Sequence, residues 1–220
     1  MQDLKVFFQK VYGWMFVGLL VSGLTAFCTY NVPVLNKFIL GNPWIMLTSI
    51  IIELILAIVM GFAMKKMSPT VAGLCFVLFS FVNGLTLSVI FMIYTIGSIS
   101  LAFFLTAGLF GVMCVLGMTI NIDLSKIGTI LFIGLIGIIF ASLINLFLNN
   151  PTIYYIISIV SIIIFTGLTA YDTQKLKRLA QDGIESIDMV NKIAIFGALQ
   201  LYLDFINLFL SLLRIFGKEK

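Results

Sequence analysis

The chain has 220 residues, 61% of them hydrophobic and only 10% charged, with a mean hydropathy of +1.19. A soluble domain is nearer half apolar and a quarter charged, so this composition implies an all-α, multi-pass membrane protein. The net charge of +4 sits on no segment able to form a solvated basic domain, which argues against a nucleic-acid partner. The complete lack of histidine excludes His-based zinc sites, Ser-His proteolysis and a histidine pH switch.

A helix needs about 20 apolar residues to cross the hydrocarbon core. Seven runs qualify, at about 11–30, 44–64, 71–96, 99–120, 127–148, 152–171 and 193–216, and together they predict one integral membrane domain over 1–220. The first run lacks a small-residue cleavage site behind it and reads as a retained span. Pro33, Pro43, Pro69 and Pro151 all fall in or beside the connections, where a missing N–H does least harm. The longest polar stretch, from Asp172 to Lys192, reads as a solvated cytoplasmic connection, helical in pattern up to Gly183. Cys28, Cys75 and Cys114 lie in apolar runs without paired spacing and read as packed thiols.

Basic residues set the orientation. Lys5, Lys10, Lys65, Lys66, Lys126, Lys175, Lys177, Arg178 and Lys192 would share one side, and Lys37, Arg214, Lys218 and Lys220 the other. The excess belongs in the cytoplasm and takes the N-terminus with it. Seven crossings then put the C-terminus outside. If the last segment instead dips in and returns, both ends are inside.

That last run, IFGALQLYLDFINLFLSLLRIF, carries Asp204 in its middle. Gly197, Gln200, Asp204, Asn207, Ser211 and Arg214 are spaced so that they share one helical face, the expected seam of a central helix. A carboxylate at mid-bilayer costs about 2.5–3.5 kcal/mol on insertion scales and normally faces a partner inside the bundle. Two further acids lie in or at the ends of spans, Glu53 and Asp172. Two carboxyls within hydrogen-bond reach in a low dielectric share a proton. Such a pair is joined while it holds that proton and repels once both groups are charged. Asp172 with Asp204 would make this latch. Glu53, with Gln200 and Asn207, would line an acidic and polar path at mid-membrane, with Lys65 as a possible carboxylate partner. Each acid could equally be satisfied separately by Thr, Asn or Lys.

The stretch FTGLTAYDTQKLK followed by GALQLYLDFINLFLSLLRIFG resembles the end of the transmembrane Bax inhibitor motif (Bax inhibitor-1) family. FVNGLTLS in the third span and the glutamate of the second fit it as well. The resemblance covers essentially the whole chain and is specific at YDTQ and YLDFINLF. It implies seven helices, the last one central and wrapped by the other six, in a pH-sensitive calcium leak pathway. It also implies that Asp172 and Asp204 are the pH-sensing pair and that Glu53 is a point where the pore is blocked or an ion met. Lys65 stands near where the family has a basic residue, and a lysine lacks the bidentate fork of arginine. Compact size and bare termini resemble the bacterial members, which points to the inner membrane.

Three functions remain open on these residues. The first is a leak in which calcium, a hard cation, meets the oxygens of Glu53, Asp172 and Asp204 transiently, without a resident metal or cofactor. The second is a scaffold that binds another membrane protein, such as a quality-control protease. The third is an intramembrane aspartyl protease. In such enzymes the second aspartate sits in a glycine-flanked GxGD, and here it reads YLDF, where the bulky Leu203 and Phe205 would hinder approach of a substrate backbone.

Overall fold

The computed structural model describes residues 2–63, 66–181 and 186–220. It is a helical protein with seven helices long and apolar enough to cross a membrane. These are α1 (Gln2–Asn31), α2 (Pro43–Ala63), α3 (Pro69–Leu87), α4 (Ile96–Thr119), α5 (Ser125–Leu148), α6 (Pro151–Gln181) and α7 (Ile187–Phe216). Short helical turns at Pro33–Leu35 and Asn36–Leu40 lie in the first connection, and Ile90–Ile93 extends the third span. Prolines open α2, α3 and α6, where the missing N–H would be unpaired in any case. Ser68 caps α3 by accepting from the Val71 amide, and Thr95 caps α4 by accepting from the Ser98 amide. The break between the third and fourth spans therefore falls at Tyr94-Thr95, not at Gly97-Ser98.

Several helices outrun the hydropathy that announced them. α1 starts well before residue 11 because Phe7 and Phe8 are buried. α6 continues to Gln181, in line with the helical pattern up to Gly183, so Asp172 lies inside a helix; what is corrected is the reading of this stretch as solvated from Asp172 onward. Packing explains the extension, since Thr173, Gln174 and Leu176 are all buried. Gln174 accepts from the Leu124 amide at 2.9 Å and donates to the Ile122 carbonyl at 2.8 Å, while the Lys177 ammonium donates to the Met118 carbonyl at 2.8 Å. They supply partners to backbone groups around the C-terminal end of α4. Outside the spans, Asp123 pairs with Arg178 at 2.8 Å. The Ser125 hydroxyl and amide, then Arg178, hold the Asp123 carboxyl down from 3.8 to about 2. This attachment is therefore present above the ordinary carboxylate range and is lost as pH falls through about 2.

α7 is unbroken over its thirty residues. In its most apolar stretch 72% of residues are buried, against 6–44% in the other six helices. α5 has the lowest share, 6%, and its exposed Phe132, Phe140 and Phe147 suit a face turned to lipid. Cys114 is buried beside the Thr173 hydroxyl at 3.6 Å, and Cys28 is exposed on α1 and not packed as expected.

The chain divides into two compact units. The first holds residues 1–94, 180–202 and 220, and the second holds 95–179 and 203–219. α7 thus contributes its first half to one unit and its second half to the other. In the first unit, Trp14 meets Phe76 edge-on at 6.3 Å, and Phe76 and Phe79 both meet the Tyr202 ring edge-on at 5.8 Å. In the second, Phe165 and Leu168 of α6 form a buried cluster with Leu208 and Leu212 of α7. Phe205 packs there against Phe103 and Phe110, each at 5.5 Å.

Close approach of α1 to α3 depends on Gly84. A β-carbon at that position would come within 2.7 Å of the Ser22 carbonyl oxygen and 2.6 Å of Thr25. Gly84→Ala is expected to destabilise the folded protein by about 1–3 kcal/mol through overpacking. Gly23→Ala, which meets nothing within 4 Å, should be neutral or stabilise by up to about 1 kcal/mol. Thermal unfolding of both variants in detergent checks this, and equal melting temperatures would contradict it.

Candidate functional site

The second unit holds the two aspartates. α6 presents Thr169, Asp172 and Thr173 on buried faces. Both threonine hydroxyls turn back to their own helix, donating at 2.7 Å to the Phe165 and Thr169 carbonyls. They are therefore not what satisfies Asp172. Asp172 and Asp204 are 8% and 4% exposed, and their carboxyls lie within hydrogen-bonding reach of each other. An ionised carboxylate only accepts, so a bond between two carboxyls requires a proton on one of them. Lys175 adds an electrostatic attraction to Asp172. The second oxygen of Asp204 is buried without a hydrogen-bond partner among the described residues.

Glu53 belongs to the first unit, where it ends a chain of polar contacts through four helices. The Ser22 hydroxyl of α1 lies 2.6 Å from the Tyr202 hydroxyl of α7. Tyr202 donates to the Asn83 side-chain oxygen at 2.6 Å. The Asn83 amide then donates to one oxygen of Glu53, and the Thr86 hydroxyl donates to the other at 3.1 Å. Thr86 also lies 2.8 Å from the Asn83 carbonyl. Asn83 therefore joins α2, α3 and α7 as interhelical glue. The sequence pattern pointed to Glu53. It missed Tyr202, Thr86 and Ser22, although a tyrosine in mid-span has a polar tip that must be satisfied when buried.

The remaining candidates are less engaged. Gln200, in the first unit, has its side-chain oxygen buried without a partner among the described residues. Asn207, in the second, donates to the Leu203 carbonyl at 2.8 Å, and Ser211 donates to the Asn207 carbonyl at 2.7 Å. Those two groups on the polar face of α7 thus fold back on their own helix while still lining a cavity beside α5 and α6. Lys65 lies outside the described residues. Among the described residues no three Asp, Glu or Cys side chains converge as a metal site.

Tyr202→Phe is expected to cost about 0.5–1.5 kcal/mol by stranding Asn83 and Ser22. Combined with Asn83→Ala, the loss should be less than additive, because both substitutions remove the same contact. Equilibrium unfolding in mixed micelles measures the cycle, and simple additivity would show that the hydroxyl and the amide act separately.

Comparison with known proteins bears on the whole chain. The family described as "Inhibitor of apoptosis-promoting Bax1" matches residues 4–220. The inner membrane protein YbhL of Escherichia coli K12 is 44% identical over 219 residues, covering 99% of this chain and 93% of that one. An uncharacterized protein of Borreliella burgdorferi is 42% identical over 97% of this chain and 92% of its own length. An uncharacterized membrane protein of Streptococcus pyogenes serotype M1 is 39% identical over 98% and 94%.

Proposed function

From the premise that this integral membrane protein belongs to the Bax inhibitor-1 family, we propose that it is a pH-sensitive calcium leak pathway whose gate is the Asp172–Asp204 pair. The observation that carries this reading is the approach of the two buried carboxyls to within hydrogen-bonding reach. With its proton in place the pair ties α6 to α7. Once that proton leaves, two negative charges face each other in a low dielectric, and the same two helices repel. The sign follows directly: raising the pH opens the latch.

In this reading α7 is the central helix, which its high burial supports. Glu53 and Gln200 offer oxygens along the path, and calcium is a hard cation that takes oxygen ligands. Contact with one or two carboxylates at a time suits passage rather than storage. The inner-membrane location follows the name of the E. coli relative, and the N-terminus faces the cytoplasm by the basic-residue count.

Purified protein in liposomes loaded with a calcium indicator tests the proposal. Flux should rise several-fold between about pH 5 and about pH 8, the window in which loss of shared protons is read. Asp172→Asn and Asp204→Asn each leave a pair that can never carry two charges, so the pH dependence should flatten in both. Flux that is independent of pH in the parent protein, or unchanged in its pH profile in both variants, overturns the gate.

A further inference from the structure

The extracytoplasmic end of α7 in this topology carries a charge that the leak does not use. Arg214 lines a cavity of about 340 Å³ with Ser142, Asn145, Asn149, Asn150 and Tyr154. That volume falls within the ~300–1,000 Å³ usual for small-molecule sites. Its polar wall is built by the NNP turn between α5 and α6. Asn149 ends α5 in the left-handed region at φ 47°, a conformation that asparagine tolerates better than most residues. The Asn150 amide donates to the Asn145 side-chain oxygen at 3.1 Å. The Asn150 side chain in turn caps α6 by accepting from the Thr152 and Ile153 amides. These bonds occupy the oxygens of Asn145 and Asn150 and leave their amide N–H groups as donors.

Arg214 is held in place without being neutralised. Its guanidinium lies over the Tyr154 ring at 4.9 Å. A cation–π contact uses the face of the guanidinium and leaves its N–H edge free to bind an anion. Among the described residues the ion pair formed is Arg178 with Asp123, and no carboxylate meets Arg214.

A second cavity of about 330 Å³ adjoins the first, since Ser142, Leu146, Ile157 and Arg214 line both. Its further wall is mostly apolar along α5 and α6, with Leu135, Ile138 and Phe165, and carries Ser161, Asn207 and Ser211 as its polar groups. From the Asn149 turn back to Leu135 is about 20 Å along α5 at 1.5 Å per residue. One leaflet of the hydrocarbon core is about 15 Å deep. The site therefore has a cationic, amide-rich head at the end of the helices and an apolar trough of acyl-chain length below it.

We propose that this groove binds an anionic glycerophospholipid, with its phosphate at Arg214 and the asparagine amides and one acyl chain along α5 and α6. Charge complementarity selects the head, and the trough selects a lipid over a free anion.

Native mass spectrometry of the detergent-purified protein tests it with phosphatidylglycerol and phosphatidylcholine of identical chains. Phosphatidylglycerol should bind at least about tenfold more tightly, as expected when a charge-assisted contact distinguishes two ligands. Arg214→Gln should bring it to the phosphatidylcholine level. Ile138→Trp, which fills the trough and leaves the head intact, should weaken both lipids. Millimolar inorganic phosphate should displace neither. Equal binding of the two lipids by the parent protein overturns the proposal even if a variant does not fold. So does full retention of phosphatidylglycerol by folded Arg214→Gln or Ile138→Trp. Displacement by inorganic phosphate would mark a small-anion site instead.

Discussion

There is no water in the hydrocarbon core to satisfy a buried polar group, so each such group on a spanning helix must find its partner inside the protein. α7 carries the heaviest share of that requirement, with Asp204 and Tyr202 both almost fully buried. Asp204 is met by Asp172 of α6, and Tyr202 by Ser22 of α1 and Asn83 of α3. Neither could be turned to lipid without losing those bonds. This is the physical reason that α7 is the most buried of the seven helices, while α5, which buries only Gly128 and Asn145, is the most exposed. Smaller hydroxyls have a local solution. Ser80, Thr106, Thr169 and Thr173 bond to the carbonyl one turn back in their own helix and ask nothing of their neighbours.

Those local solutions also decide what was legible in the sequence. Charges in apolar runs are conspicuous, so Glu53, Asp172 and Asp204 could be picked out, and so could the number of helices. Tyr202 could not, because it counts as aromatic and lies about 200° round α7 from Asp204 at 100° per residue. A search for one polar stripe therefore passes over it. The surroundings of the last part of α6 were misread for a related reason. Hydropathy falls at Asp172, but burial does not, because Gln174 is held by backbone groups of the α4–α5 connection. Hydropathy measures what a side chain would do in lipid, and it is blind to a polar side chain whose solvent is another loop's backbone.

The two buried acid sites solve the same problem with different chemistry. Glu53 is met by an amide and a hydroxyl, from Asn83 and Thr86. An amide N–H can donate to a carboxyl oxygen whether or not that carboxyl holds a proton, and a hydroxyl can donate or accept. That site can change its protonation without breaking its frame. Asp204 is met by another acid, and a bond between two acids exists only while a proton is shared between them. Its frame is conditional on that proton. Of the two sites, then, the aspartate pair is the one in which a bond between helices, α6 and α7, depends on a proton.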